Sequence, residues 1–250
     1  MQELTLKETQ AIILDIMKDI DRFCRENNIP YSISSGTLLG AVRHGGFIPW
    51  DDDADIFMLR KDFDRFVKIY KSNRYNLLFN KRSDKEFMVG GYAKISDPTT
   101  FVANKKNSIS RFGVYVDVFP IDSVPEDPKE RKDYMHHIMS THNRLYHRQK
   151  KDLVSIIKAH RHSLDWWWNR LDKAVHVGDY DSSPLCAHIV GTMNYRTVME
   201  KSRFDSLKEI KFEDYKFFAF SDTHSYLTMV FGEDYMTPRK WSHRLKVYRE

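Results

Sequence analysis

The chain has 250 residues, 41% of them hydrophobic, including 16 Phe, 13 Tyr and 5 Trp; this is enough apolar material for a real core and excludes wholesale disorder. The net charge of +5 suits phosphorylated partners, polyanions or an anionic membrane surface, and equally a merely solvated surface. No basic segment precedes an apolar run, and no stretch approaches the ~18 apolar residues of a membrane span. The expectation is a soluble cytoplasmic protein, with any membrane contact peripheral and at the inner face.

Thr5-x-x-Glu8 forms a capping box, and Ile13, Ile16, Met17, Ile20, Phe23 and Cys24 recur behind it at helical spacing to about Arg25, where Asn27, Asn28 and Pro30 stop the helix. Tyr31 to Ser35 alternates as a short strand ended by Gly36, Thr37 to Arg43 reads as a short helix, and Gly45-Gly46 marks a turn. Asp51 to Leu59 reads as a second strand. Lys61 to Lys71 reads as a helix with Phe63, Phe66, Val67 and Tyr70 on one face, and shorter strands follow near 75–80, 87–96 and 100–104. Gly113 to Phe119 alternates Val114, Val116 and Val118 against Tyr115, Asp117 and Phe119, a strand with two distinct faces. Asp127-Pro128 is an N-cap and N1 pair opening a helix to about Gln149; further helical stretches cover about 151–175 and Asp222 to Phe231, the last closed by Gly232. Cys24 and Cys186 lie in apolar segments and read as buried free thiols rather than a disulfide. The fold class is α+β: an α/β core over residues 1–122 and a mainly helical portion, 123–250, packed on it.

The acidic segment carries the chemistry. On a strand, Asp51, Asp53 and Asp55 share one face, about 6.5–7 Å apart in steps of two residues, and two such carboxylates can close on one Mg²⁺ with oxygens at about 2.0–2.1 Å. Without a cation they repel one another, and Asp is a poor strand former, so a divalent ion offsets a folding cost. Gly36-Thr37, ahead of a helix, lets backbone approach a phosphate and offers unpaired N–H groups. Asp117 supplies a third carboxylate. With the strands side by side, Asp53, Asp55 and Asp117 converge on one or two metal ions, Mg²⁺ or Mn²⁺, and Asp117 can take the proton of an acceptor hydroxyl. Arg43 and Lys94 are candidates to neutralise donor phosphates. A calcium loop counted from Asp51 fails, because its sixth position is Ile56 and its twelfth Asp62. Nucleic-acid binding finds no aromatic–glycine RNA motif and no zinc spacing.

At these residues the sequence resembles the LicD family, phosphotransferases of the nucleotidyltransferase superfamily related to fukutin and fukutin-related protein. The resemblance lies in Gly36-Thr-Leu-Leu-Gly-Ala-Val-Arg43, Ile48-Pro-Trp-Asp-Asp-Asp-Ala-Asp55-Ile, Tyr92-Ala-Lys94-Ile, Val116-Asp117-Val-Phe-Pro-Ile-Asp122 and Phe231-Gly-Glu-Asp-Tyr-Met236. It implies a nucleotidyltransferase-like mixed sheet flanked by helices, with Asp53 and Asp55 as metal ligands and Asp117 as third carboxylate. Gly36 and Thr37 match the family's glycine loop and Arg43 its following arginine. It also implies a CDP-activated alcohol donor, with CDP-choline first, and a glycan acceptor such as teichoic acid or lipopolysaccharide, which can be lipid-linked; CMP is released. A nucleotidyltransferase that leaves the nucleoside monophosphate on the acceptor and releases pyrophosphate would use the same carboxylates. Where relatives usually show a proline-rich stretch, this chain reads Thr237-Pro238-Arg239-Lys240. Trp166-Trp167-Trp168 covers too wide an arc of a helix for all three to face one core, and the basic stretch 142–162 reads as a solvated helix face or as a contact for an anionic acceptor or lipid.

Overall fold

The computed structural model describes residues 2–79, 90–103, 112–149, 162–176, 181–191, 197–238 and 246–249. Helix α1 (Leu6–Glu26) begins at the expected capping box: Glu8 N–H donates to Thr5 Oγ1 at 3.3 Å and Thr5 N–H to Glu8 Oε2 at 2.7 Å. Its apolar stripe, Ile13, Ile16, Met17, Ile20 and Cys24, is buried.

A mixed sheet organises the chain. It runs β2 (Ser32–Ile33), β3 (Asp55–Leu59), β7 (Tyr115–Ser123), β5 (Ala93–Ser96), β4 (Asn76–Leu78). β3 and β7 are parallel and the other neighbours in that row antiparallel. Between β2 and β3 lies α2 (Ser35–His44), and α3 (Arg60–Ile69) follows β3 directly. Arg60, at the start of α3, donates from Nε and Nη2 to both carboxylate oxygens of Asp122 on β7, at 2.7 and 3.2 Å, which fixes the helix to the sheet. A separate three-stranded sheet joins β1 (Gln2–Glu3), β12 (Val247–Arg249) and β6 (Thr100–Val102).

The strand with two faces is confirmed and runs on to Ser123. Val116 and Val118 lie opposite Ile95 and Ala93, all buried, while Asp117 and Phe119 point to the other face. The expected strand from Asp51 needs correction, because β3 begins only at Asp55. Asp51 to Asp53 enter no strand ladder, as suits a run of poor strand formers whose carboxylates repel, and Ala54 joins it only through its carbonyl, which accepts from Asp117 N–H at 2.9 Å.

The C-terminal portion also departs from expectation. The helices are there: α4 (Pro128–Gln149), opened by Asp127 as predicted, α5 (Leu164–His176) and α6 (Thr223–Phe231). Beside them stand β8 (Leu185–Ala187), β9 (Val198–Glu200), and the hairpin of β10 (Leu207–Phe212) with β11 (Tyr215–Phe220). Among the described residues this portion is therefore mixed rather than mainly helical. The part of the second helical expectation at 151–161, and most of the basic stretch with it, lies outside the described residues.

Two apolar clusters result. The larger takes α1, the sheet, and Phe212, Phe217, Phe220, Tyr226 and Leu227 from the hairpin and α6. The smaller lies between α4 and α5, with Ile138, Leu145, Trp167 and Leu171, and reaches Ile189 and Val190. β7 touches both, since Asp122 and Ser123 pair with β8. Of the three tryptophans, Trp167 is buried, Trp168 packs against the smaller cluster and Trp166 is exposed. Cys24 and Cys186 are buried free thiols. Among the described residues no helix is long and apolar enough to cross a membrane.

Candidate active site

Sheet register brings the charged residues together. Asp55 on β3 is directly paired with Asp117 on β7, and Asp117 with Lys94 on β5. Directly paired residues share a face, so carboxylate, carboxylate and ammonium form one row across three strands about 4.8 Å apart. Lys94 Nζ donates to Asp117 Oδ1, and both side chains are buried.

The loop ahead of β3 is held by side chains from distant elements. Gln10 on α1 donates from Nε2 to the carbonyls of Asp51 at 2.8 Å and Ile48 at 3.4 Å. Asp55 N–H donates to Thr37 Oγ1 at 2.8 Å, and Ser34 N–H to the Asp55 carbonyl at 3.0 Å. These bonds tie the start of β3 to the start of α2. Thr37, expected at a phosphate, thus also positions Asp55. Gly36 comes close to the loop: a Cβ there would lie 3.0 Å from Asp51 Oδ2, tight enough that the carboxylate would have to give by a few tenths of an ångström. The Asp51 carboxylate therefore rests against the first turn of α2, whose Gly36 and Thr37 amides no helix carbonyl serves. Ser34, the residue before that turn, makes no capping bond, and its buried Oγ has no partner among the described residues. The other end of α2 closes on Gly45 in the left-handed region (φ 73°), and Gly40 packs so tightly that a Cβ would lie 2.4 Å from the Gly46 carbonyl oxygen.

Asp51, Asp52 and Asp53 bring one carboxylate oxygen each within 4.8 Å of one another. Burial first, then Asp53 and Asp52, push Asp51 up to about 7. Burial, then Asp117 and Asp52, push Asp53 up to about 6, against the pull of Lys94. Asp55 is raised well above the usual carboxylate range by burial and by Asp53, Asp117 and Asp51. Asp117 is raised by burial and held back by Lys94. Crowded hard oxygen donors that resist ionising fit a divalent cation of the Mg²⁺ type.

Of the residues expected at a site, Gly36, Thr37, Asp53, Asp55, Asp117 and Lys94 gather here. Arg43 does not: it lies about 10 Å along the helix from Gly36, and its Nη1 donates to the carbonyl of Tyr235 at 2.7 Å and more weakly to that of Thr237 at 3.5 Å. Three participants went unread in the sequence. On a strand Asp52 would face away from Asp51 and Asp53, while Gln10 and Ser34 carry no local signal. Trp50 packs beside His44, ring centroids 6.4 Å apart, at the edge of the main core.

A family model described as LicD/FKTN/FKRP, nucleotidyltransferase domain, matches residues 28–164, which include α2, the acidic loop, Lys94 and Asp117. A mixed sheet bearing a row of carboxylates, a helix N-terminus against the acidic loop and this match together define a protein of the transferase class. The chain belongs to the LicD/FKTN/FKRP family. It is 29% identical over 260 aligned positions to the lipopolysaccharide cholinephosphotransferase LicD of Haemophilus influenzae, covering 94% of this chain and 93% of that protein. Shorter matches join it to uncharacterized proteins of Rickettsia typhi, 44% identical over 80 residues (30% of this chain, 26% of that protein), and Rickettsia prowazekii, 54% over 50 residues (20% and 19%).

Proposed function

We propose that this protein transfers a phosphoalcohol, phosphocholine first among them, from CDP-choline to a hydroxyl of a cell-surface glycan, releasing CMP. The observation that carries the reading is the alignment of 94% of the chain with a lipopolysaccharide cholinephosphotransferase. It makes lipopolysaccharide the first acceptor to test, with teichoic acid or a lipid-linked glycan next and nucleic acid set aside. The mixed sheet is read as that of a nucleotidyltransferase-like fold, with residues 1–122 as catalytic core and 123–250 packed on it. Its place of work is the cytoplasm, at the inner face of the membrane.

In this reading the acceptor oxygen attacks the phosphorus that bears choline. The bond from that phosphorus to the bridging oxygen breaks, and CMP departs with the electron pair. Asp117 takes the hydroxyl proton. The amides of Gly36 and Thr37 receive a donor phosphate oxygen at the start of α2. Lys94 contributes positive charge there, whereas Arg43, at the far end of that helix, holds the Tyr235 carbonyl instead. Asp53, Asp55 and Asp117 would hold Mg²⁺ or Mn²⁺, which when bound stabilises charge on the phosphate oxygens.

The test incubates the protein with choline-labelled CDP-choline, lipopolysaccharide and Mg²⁺. Label should appear on the glycan with an equal amount of CMP, stop in EDTA and return with Mg²⁺ or Mn²⁺. Cytidylate on the acceptor, or release of pyrophosphate from CTP, would overturn the reading in favour of nucleotidyl transfer.

A further inference from the structure

Lys94 is held more firmly than a phosphate-binding lysine needs to be. It is 6% exposed and lies opposite Asp117 across the β5–β7 ladder, bonded to Oδ1 of that residue. Its Nζ stands 3.4 Å from the centroid of the Tyr115 ring, with the Tyr92 and Phe112 rings at 5.4 and 5.5 Å. Three aromatic rings and one carboxylate fix the ammonium by cation–π attraction and a charge-assisted hydrogen bond. Swinging it out toward solvent would forfeit all four contacts and leave Asp117 a buried, unpaired charge.

On the other side of Asp117 stands Asp55, in register, and the Asp51–Asp53 loop joins its start. In two-metal sites the ions lie about 3.5–4 Å apart. A second ion here would need Asp117 as its ligand from the sheet. We infer that Lys94 stands where that second ion would be, so that the site takes one divalent cation, with the ammonium in place of a second. The inference rests on the reading of a divalent ion at the acidic cluster. A metal bound to Asp117 Oδ1 would share that oxygen with the ammonium, and the two cations would repel at short range in a poorly screened setting. The remaining oxygen of Asp117 is left for the single ion or for the acceptor proton. Lys94 is thus a positioning residue that fixes the metal count by occupying one oxygen of the third carboxylate.

Titrating the whole chain with Mn²⁺, followed by calorimetry and by the paramagnetic resonance signal of the ion, counts the tightly bound metal without any turnover. The wild type should bind one Mn²⁺ per chain. Lys94→Met keeps the length of the side chain and removes its charge, and should bind two, with spin–spin broadening between them. Lys94→Arg should return to one. Circular dichroism and melting temperature verify folding, and if Lys94→Met does not fold, the wild-type count with its spectrum decides. Two coupled Mn²⁺ ions in the wild type would overturn the inference and leave the metal reading intact, and one ion in both wild type and folded Lys94→Met would do the same. No Mn²⁺ on any variant would remove the metal reading, and this inference with it.

Discussion

Deleting one charge from the acidic loop should stabilise the metal-free protein. In the folded state Asp51 is raised from 3.8 to about 7, through burial and then through Asp53 and Asp52. Across that window the folded chain keeps a proton that the unfolded chain has released, so stability falls as pH rises. At about 1.4 kcal/mol for each pH unit, the loss between pH 4 and pH 7 is on the order of 4 kcal/mol, shared in part with Asp53, which titrates alongside. Asp51→Asn keeps the shape of the side chain and removes the acid. Its stability should change little over the window, and at pH 7.5 it should exceed the wild type by roughly 2–4 kcal/mol. Urea unfolding in EDTA at pH 4.5, 6.0 and 7.5, with slopes compared to confirm an unchanged unfolded state, measures the difference. A variant that loses stability with pH as steeply as the wild type would refute the argument from crowded carboxylates.

Three further outcomes are expected. Asp53→Asn and Asp55→Asn should each abolish CMP release while leaving the circular dichroism spectrum unchanged; near-normal rates in either would remove it from the site. Gly40→Ala sets a Cβ 2.4 Å from the Gly46 carbonyl oxygen, and thermal melts should show a loss of about 1–3 kcal/mol from overpacking. Arg60→Met leaves Asp122 buried without its partner, which costs about 3–5 kcal/mol in chemical denaturation; a change below about 1 kcal/mol would mean that the pair behaves as a surface one.

What could be read in the sequence was what is local. The capping box at Thr5, the N-cap at Asp127 and the alternation through Gly113–Phe119 each act over a few residues, and each appears as expected. Asp117 was recoverable because a carboxylate among buried valines must answer to something else. The acidic loop was misread as strand because alternation imitates a ladder, whereas its geometry is imposed by Gln10 and Thr37, one 41 residues away and the other 18 residues away across the β3 start. Lys94 meets Asp117 through an antiparallel register, and Arg43 meets Tyr235 across 192 residues; neither partner leaves a mark beside the residue itself. The β10–β11 hairpin went unread because its turn, at Glu213-Asp214, contains no glycine, with Glu213 itself at φ 53°.

The larger apolar cluster joins the two ends of the chain. Ile13, Ile16, Met17 and Ile20 enter it from one side, and Phe212, Phe217, Phe220 and Leu227 from the other. None of these lies within 28–164, the stretch that bears the family signature. A fragment trimmed to that signature would keep every proposed ligand and lose much of the packing that holds them, leaving sticky surface bare to solvent. Expression designs that respect the motif boundaries would therefore yield aggregate, and a minimal soluble version must retain α1 together with the hairpin and α6.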